Sequence, residues 1–254
     1  MRLKERVALV TGAGSGFGEG IARKFVAEGA KVLLVDIHGE AAERAAAALG
    51  DRARAFVADV SRAVDTRAML DEAERVFGPL DILVNNAGVG HVPQPLEALE
   101  DIEFERIVAV NMRAIYFAMR EAVPRFKARA ADARGLRGVV LNIASTAGVS
   151  PRPRLCWYNA SKGWVITATR ASAVELAPSG IRVNALNPVA GETPLLATFM
   201  GQDTPEMRAK FLSTIPIGRF STPEDLGNAA CYLCSDEASM VTGVCMEVDG
   251  GRCI

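Results

Sequence analysis

A tyrosine and a lysine, Tyr158 and Lys162, lie four positions apart in a stretch with a helical hydrophobic pattern. This spacing places both side chains on one face of a helix, one turn apart. A cation beside a phenol favours the phenolate and lowers the tyrosine pKa from its ordinary value of about 10. Such a pair could exchange a proton with an alcohol or a carbonyl. Because the same spacing also occurs in ordinary surface contacts, the pair by itself leaves the chemistry open.

A glycine-rich segment at residues 11–18, TGAGSGFG, lies between an apolar run and a helical pattern. Glycines here permit a tight turn and let a pyrophosphate approach backbone N–H groups at a helix N-terminus. Asp36 ends the next apolar run, where a carboxylate accepts hydrogen bonds from the ribose hydroxyls of a dinucleotide. The alternatives are a purely structural turn and an aspartate that caps the next turn.

The elements around these residues alternate between strands and helices. Apolar runs predict strands at 7–10, 32–35, 55–57, 81–84, 138–143, 181–186 and 244–248. Helical patterns that precede or follow them include 40–49, 62–77, 101–128, 157–177 and 222–234. Because the strand runs lack polar alternation, they predict a doubly wound parallel α/β sheet of about seven strands, with helices on both faces. We expect one domain over residues 1–254.

One segment, 190–216, has no clear pattern and contains three prolines. A long irregular excursion in a compact fold is often a mobile lid over a site. We therefore predict an irregular substrate lid here.

Composition excludes several classes of protein. Half of the residues are hydrophobic, 23% are charged and the net charge is −1, a mixture typical of a soluble globular domain. No basic stripe predicts nucleic-acid binding, and no apolar run reaches the ~18 residues of a membrane span. The first residues do not resemble a signal peptide, which predicts a cytoplasmic protein. Cys231 and Cys234 form a CxxC, but with two histidines and an odd cysteine count we expect a helical turn and no metal site.

Taken together, these motifs resemble the short-chain dehydrogenase/reductase family over essentially the whole chain. The family's TGxxxGxG motif matches 11–18, NNAG matches 85–88 and YxxxK matches 158–162. Its catalytic serine matches Ser145, its catalytic asparagine matches Asn111, and its Asp-Val pair matches Asp59 and Val60. The resemblance implies a Rossmann-type fold and hydride transfer with a nicotinamide dinucleotide.

The resemblance also implies a role for each catalytic residue. Tyr158 would be the general acid/base, and Lys162 would lower its pKa and hold the nicotinamide ribose. Ser145 would orient the substrate oxygen, and Asn111 would hold a water in a proton relay. The implied cofactor-binding residues are Gly12, Ser15, Gly16, Phe17, Gly18, Asp36, Asp59, Val60, Asn86, Ala87, Gly88, Tyr158, Lys162, Pro188, Val189, Gly191 and Thr193.

The chain departs from the family where Pro-Gly usually follows the sixth strand, since it has Pro188 and Val189. The motif's later threonine is kept as Thr193. Valine excludes the positive φ that glycine allows and adds bulk, so we expect a changed backbone path or a smaller pocket. Substrate-pocket candidates are His91, Ala147, Arg154, Trp157, Leu195 and Met200, together with Arg152, Val189 and Phe199. An arginine at 152 or 154 could bind an anionic substrate group or lie on the surface.

We expect NAD to be preferred over NADP, because Asp36 would repel a 2′-phosphate and lose its hydroxyl partner. No basic residue offsets that repulsion, since Ser15 and Ile37 occupy the obvious positions and His38 is largely neutral at pH 7. The predicted reaction is hydride transfer between NAD(H) and a small alcohol, aldehyde or ketone, as in bacterial NAD-dependent alcohol dehydrogenases. The family also implies a homotetramer, built partly through helices 101–128 and 157–177.

Two alternatives remain open. A 3-oxoacyl-[acyl-carrier-protein] reductase shares the scaffold and would need a basic docking patch, for which 125–137 is a candidate with five basic residues. A dinucleotide-binding regulator that has lost catalysis is the other alternative. Such regulators usually lose the tyrosine or the lysine, and both are present here.

Overall fold

Seven parallel strands form one sheet in the computed structural model, which describes residues 1–254. The strands are β1 (Val7–Thr11), β2 (Lys31–Asp36), β3 (Ala53–Val57), β4 (Ile82–Asn85), β5 (Gly138–Ile143), β6 (Ile181–Pro188) and β7 (Cys245–Val248). Their order across the sheet is β3-β2-β1-β4-β5-β6-β7. The predicted fold, a doubly wound Rossmann-type sheet in a single domain, is confirmed.

Nine α-helices cover the two faces of this sheet. They are α1 (Gly16–Ala27), α2 (Gly39–Leu49), α3 (Ala63–Phe77), α4 (Asp101–Val108), α5 (Ala114–Ala128), α6 (Cys156–Leu176), α7 (Pro194–Met200), α8 (Pro205–Leu212) and α9 (Pro223–Cys234). One apolar cluster joins α1, α2 and α9 to one face of the sheet, and a second joins α3, α5 and α6 to the other. Successive β1 residues alternate between them, Ala8 in the first and Leu9 in the second. Both faces of the strand are therefore buried, which explains its uninterrupted apolar run.

The strand order reverses between β1 and β4, so the loops that follow these strands diverge. Such a switch point opens a crevice at the carboxyl ends of parallel strands, where this fold class binds ligands. Thr11 ties the two loops together, because its Oγ1 accepts hydrogen bonds from Asn86 N (3.0 Å) and Ala87 N (3.1 Å). The glycine segment and the NNAG turn are thus held on either side of one crevice.

The predicted helix 101–128 is correct in extent but not regular. Residues 109–113 form a π-helical turn between α4 and α5, and this turn carries Asn111. A π-turn inserts an extra residue into a helix and often occurs at functional sites. It changes the direction in which the following side chains point, and a simple 3.6-residue pattern cannot reveal this change.

The prediction that 190–216 is irregular is wrong, because it contains α7 and α8. Pro194 and Pro205 occupy the first turns of these helices, where a proline costs no hydrogen bond. The segment also has its own apolar cluster, which comprises Val189, Leu196, Met200, Phe211, Ile215 and Phe220. No helix in the chain is both long and apolar enough to span a membrane. Cys231 and Cys234 lie in the core on α9 with free thiols.

Candidate active site

A cavity of about 1110 Å³ occupies the crevice at the carboxyl ends of the strands. It extends from the glycine segment and Asp36 to Tyr158 and Phe211, and α7 runs between the two regions, because it begins beside Gly16 and its Phe199 packs against Tyr158. The ends of six strands, β1 to β6, and residues of helices α1, α4, α6, α7 and α8 contribute to its wall. One cavity therefore brings a phosphate-binding turn together with a possible acid/base group, as the sequence motifs predict.

The glycine segment forms the turn that the sequence predicts. Gly12 and Gly16 have φ values of 62° and 56°, which a side chain would strain. Gly18 has no such φ, but a Cβ on it would overlap the Gly12 carbonyl oxygen. The Asn86 amide donates to Thr11 O (2.8 Å) and Gly12 O (3.0 Å), so the NNAG turn braces the glycine turn. The first turn of α1 therefore presents an open backbone to the cavity.

Asp36 lies on the cavity wall beside this turn. Its Oδ2 accepts a hydrogen bond from Gly14 N (2.9 Å) and its Oδ1 accepts one from His38 N (3.0 Å). Asp36 therefore caps the next turn, as one alternative stated, and it also lies on the cavity wall, so its contact with a ribose stays a prediction. A carboxylate has further acceptor positions, so these two bonds leave capacity for a ligand hydroxyl.

All of the predicted cofactor-binding residues except Gly18 line the cavity. The lining includes Gly12, Ser15, Gly16, Phe17, Asp36, Asp59, Val60, Asn86, Ala87, Gly88, Tyr158, Lys162, Pro188, Val189, Gly191 and Thr193. Gly18 lies behind the turn, where it permits close packing on Gly12. Its role in this structure is to shape the turn.

Tyr158 is almost completely buried at the other end of the cavity. Burial raises the pKa of its phenol to about 12, and the Ser145 hydroxyl and the Arg152 charge only partly counteract this. The prediction that the pKa lies below 10 is therefore wrong, because desolvation outweighs the favourable contacts. At neutral pH the phenol is protonated, and a protonated phenol is a proton donor.

Lys162 is also buried, one helical turn after Tyr158 on α6. Its Nζ donates to Ile143 O at 2.8 Å and lies 5.9 Å from the centroid of the Tyr158 ring. Burial lowers the pKa of this ammonium to about 8. Tyr158 and Lys162 share one helix face as predicted, and the alternative of a surface contact is excluded because neither is exposed.

Ser145 follows β5 and lies beside Tyr158 in the cavity wall. Its Oγ accepts a hydrogen bond from Ala147 N at 3.0 Å, which orients the hydroxyl and leaves its proton free to donate. Asn111 is buried behind the wall and does not line the cavity. Its Oδ1 accepts from Val89 N, and its Nδ2 donates to Val89 O and to Ser161 Oγ. This amide therefore holds the chain after the NNAG turn against α6.

Val189 follows the last residue of β6 directly. It has no positive φ, and its N–H donates to Val248 O at 3.3 Å, beside the end of β7. Its buried side chain joins the apolar cluster of 190–216 and also lines the cavity. Its methyl groups occupy space on the cavity wall that a glycine would leave open, and the change of backbone path or pocket size relative to the family stays a prediction.

Of the predicted substrate-pocket residues, Ala147 and Leu195 line the cavity, and so do Arg152 and Phe199. His91, Arg154, Trp157 and Met200 do not, which corrects four predictions. His91 is buried, with its Nδ1 2.9 Å from Val92 O. Arg154 is exposed at φ 64°.

The other two corrected residues pack elsewhere. Trp157 donates its indole N–H to Leu96 O and stacks edge-on against Phe104. Met200 is buried in the apolar cluster of 190–216. Sequence reasoning missed Leu155 and Phe211, which line the cavity. No local pattern marks them, because Leu155 packs against Tyr158 and Phe211 packs in the apolar cluster of 190–216, contacts that arise only in the folded chain.

Comparison with known proteins supports the resemblance to the short-chain dehydrogenase/reductase family. A family model described as enoyl-(acyl carrier protein) reductase matches residues 12–252. A 4-formylbenzenesulfonate dehydrogenase from Comamonas testosteroni is 46% identical and aligns over 99% of both chains. A crystal structure of 3-ketoacyl-(acyl-carrier-protein) reductase from Brucella melitensis complexed with NADH superimposes with a TM-score of 0.93. It is 54% identical and covers 99% of this chain and 100% of that one.

The chain belongs to the short-chain dehydrogenase/reductase family. A further family member, a 2-(S)-hydroxypropyl-CoM dehydrogenase from Xanthobacter autotrophicus, is 39% identical over 98% of this chain and 97% of that one. Family membership makes the protein an oxidoreductase with a nicotinamide dinucleotide cofactor. The site fits that group on its own geometry, because the turn at 12–18 excludes side chains where a pyrophosphate would lie.

The basic segment at 125–137 is largely neutralised within the chain. Arg125 contacts Asp71 and Glu74, and Arg129 contacts Asp81. The other two arginines bond elsewhere: Arg134 pairs with Asp236 and Arg137 donates to backbone carbonyl oxygens. Three of the five basic residues are thus paired with carboxylates, and only Arg137 and Lys127 keep an unpaired positive charge for docking an acidic partner.

Proposed function

We propose that this family member transfers a hydride between NAD(H) and a small alcohol, aldehyde or ketone, with Tyr158 as the general acid/base. The observation that carries the proposal is the buried cluster of Ser145, Tyr158 and Lys162 at one end of a cavity whose other end is the glycine turn. The intact cluster argues against the alternative of a non-catalytic dinucleotide-binding regulator. Bound nicotinamide supplies or accepts the hydride at the reacting carbon.

The protein residues would orient the substrate and move its proton. Ser145 would donate its hydroxyl proton to the substrate oxygen in a hydrogen bond and so fix its position. Tyr158 would give its phenolic proton to that oxygen during reduction and take it back during oxidation. Burial keeps the phenol protonated at neutral pH, and this is the form that can donate a proton during reduction.

Lys162 would bind the nicotinamide ribose hydroxyls through its Nζ and stabilise the phenolate once the proton has left. The Ile143 carbonyl fixes the ammonium in position for both tasks. Asn111 would support a proton relay by holding a water near Lys162. A Cβ placed on Gly88 would lie 3.4 Å from Lys162 Nζ and 3.6 Å from Asn111 Oδ1, so the two groups face the same small space.

NAD is the proposed cofactor in preference to NADP. The Asp36 carboxylate is held by two backbone N–H groups and faces the cavity beside the glycine turn. It would accept hydrogen bonds from the adenosine ribose of NAD and repel the 2′-phosphate of NADP. The NADH in the Brucella structure is consistent with this choice.

The segment 190–216 is the proposed lid. Its apolar cluster packs α7 and α8 together as a unit over the Tyr158 end of the cavity. We further propose a cytoplasmic homotetramer. Ile102, Tyr116 and Val174 project exposed apolar side chains from α4, α5 and α6, the helices that the family pairs across subunits.

The direct test is NADH or NADPH consumption at 340 nm with aromatic aldehydes, aliphatic aldehydes and ketones. The names of the Comamonas and Xanthobacter relatives, which denote an aldehyde and a secondary alcohol, guide the choice of substrates. We expect oxidation of NADH with at least one aldehyde or ketone. No turnover of any of them would refute the proposal.

A second candidate is a 3-oxoacyl-[acyl-carrier-protein] reductase, favoured by the 54% identity to the Brucella protein of that title. The neutralised basic segment speaks against it. Acetoacetyl-CoA and a 3-oxoacyl carrier-protein thioester separate the two functions in the same assay. A kcat/KM far higher for the carrier-protein thioester than for every aldehyde would establish the second candidate.

A further inference from the structure

Arg152 differs from the other arginines of the cavity in having no acidic partner. Three arginines line the cavity. Arg106 pairs with Glu103 and Arg113 pairs with Glu105. The Arg152 guanidinium forms neither a salt bridge nor a hydrogen bond with any group of the chain.

The surroundings of Arg152 are apolar on one side and positively charged on the other. Its guanidinium lies over the ring of Phe211, with the Cζ atom 4.4 Å from the ring centroid. Burial lowers the pKa of this guanidinium, and the positive charge of Arg252 lowers it further. Arg252 donates to Ser150 Oγ and keeps a buried Nε without an acceptor. Two guanidinium groups with unused donors therefore lie close together.

A guanidinium has five hydrogen-bond donors, and burying it in part without an acceptor costs free energy unless a ligand supplies the acceptor. Its planar donor fork matches the two oxygens of a carboxylate or sulfonate. The backbone at Arg152 is also anchored, because its carbonyl oxygen accepts a hydrogen bond from Asn159 Nδ2 at 2.8 Å. The arrangement is therefore a fixed receptor for an oxyanion and lacks the oxyanion within the chain.

The receptor lies at the substrate end of the cavity. Its positive charge acts on the Tyr158 phenol, and Phe211 belongs to α8. The glycine turn and Asp36, where the phosphates and ribose of a dinucleotide fit, form the opposite end. Leu155 and Phe199 pack against Tyr158 and give the cavity an apolar wall beside it.

We propose that Arg152 determines specificity by binding a carboxylate or sulfonate of the substrate, remote from its reacting carbon. This inference rests on the proposed function and adds the substrate class. The substrate is then an alcohol or aldehyde with an apolar body and an anionic tail. The body packs against Leu155 and Phe199, the tail meets the guanidinium, and the oxygen of the reacting group meets Ser145 and Tyr158.

The test compares three aldehydes of similar shape with NADH as cofactor: 4-formylbenzoate, 4-formylbenzenesulfonate and neutral 4-methylbenzaldehyde. The variants are Arg152→Met, Arg152→Lys and Arg154→Met. Arg154 is a matched control, because it lies two residues away and points to solvent. Melting temperature and NADH affinity are measured for each variant, so a folding or cofactor defect is seen directly.

We expect the parent protein to favour the anionic aldehydes over the neutral one by about 10- to 100-fold in kcat/KM. Arg152→Met removes this ratio, chiefly by raising KM, and Arg152→Lys restores part of it. Arg154→Met keeps the parent's ratio. The ratio within one variant is insensitive to a general change in activity, which protects the test against a small shift of the Tyr158 pKa.

Two other outcomes overturn the inference and are distinguishable from each other. Turnover of all three aldehydes with equal kcat/KM, unchanged in Arg152→Met, refutes the anion site and leaves the proposed function intact. If no aldehyde is reduced, the proposed function fails. In that case calorimetric titration of the enzyme–NADH complex with benzoate and benzenesulfonate still tests the site, and no heat in the parent, or equal binding by Arg152→Met, refutes it.

Discussion

The ring of Phe199 packs against the ring of Tyr158, with centroids 4.7 Å apart and planes inclined at 52°. Phe199 lies on α7, within 190–216, and Tyr158 lies on α6. The contact couples the proposed lid directly to the proposed acid/base residue. Movement of α7 would open the substrate end of the cavity and expose the phenol to water.

Closure of the lid predicts slower amide exchange at 190–216 when NADH and a substrate analogue bind. The measurement is hydrogen–deuterium exchange with mass spectrometry, with and without ligands. Peptides from α9, which lies in the core cluster away from the cavity, serve as the internal reference. Identical exchange of 190–216 in both conditions would contradict a gating role.

Replacement of Tyr158 by phenylalanine removes the proton donor and leaves the ring that packs against Phe199. We expect kcat to fall by about 10²- to 10⁴-fold, which is typical for loss of an acid/base group. NADH affinity, measured by fluorescence titration, should stay close to the parent value. Tyr232→Phe is the control, since that tyrosine lies on α9 and does not line the cavity. Parent-like turnover in Tyr158→Phe would remove the residue from the mechanism.

Lys162→Met should lower the activity of the enzyme and raise its free energy of unfolding. The buried ammonium has a pKa of about 8, below its ordinary 10.5, so the unfolded state binds protons more tightly. Between these values the parent becomes more stable as the pH rises, and below pH 8 the full penalty of the buried charge applies. Methionine removes that penalty, and we expect an unfolding free energy about 1–3 kcal/mol higher at pH 7, shrinking toward pH 10.5.

Urea unfolding at pH 7, 9 and 10 checks this expectation, with exposed Lys127→Met as the matched control. Turnover and NADH affinity should both fall in Lys162→Met, because the ammonium serves the phenolate and the ribose. A variant with full NADH affinity would show that the ribose role is wrong. A stability difference that grows with pH would contradict the lowered pKa.

Asp36→Ala should weaken the preference for NAD. We expect the parent to favour NAD by roughly 30- to 1000-fold in kcat/KM, because a like charge would face the 2′-phosphate. The variant loses this repulsion and also a hydroxyl acceptor, so NADP improves and NAD becomes poorer. Exposed Asp51→Ala controls for the change of net charge. The measurement is kcat/KM for both cofactors with one accepted substrate, and equal values in the parent would contradict the placement of Asp36 at the ribose.

Gly18→Ala should destabilise the chain and weaken NADH binding, because its Cβ would overlap the Gly12 carbonyl oxygen. The displaced turn should cost about 1–3 kcal/mol in thermal or urea unfolding. Gly163→Ala is the contrasting variant, since a Cβ on Gly163 would lie 3.9 Å from its nearest neighbour, Gly148 O. An alanine in that helix should leave stability unchanged or raise it. Equal stability of the two variants would show that the turn tolerates a side chain at 18.

The sequence by itself determined the sheet, the order of its elements and the glycine turn. These features depend on local composition: apolar runs long enough for strands buried on both faces, and glycines where a side chain cannot fit. It also placed Tyr158 and Lys162 on one helix face, because a four-residue spacing within a helix has a fixed geometry.

Only the tertiary structure decided what surrounds those side chains. Burial raises the Tyr158 pKa where the sequence predicted a lowered one, since desolvation depends on neighbours distant in the chain. The same reason separates Arg152, which faces the cavity, from Arg154, which faces solvent. Phe211 enters the cavity wall beside Arg152, a contact between residues about sixty positions apart that no local pattern encodes.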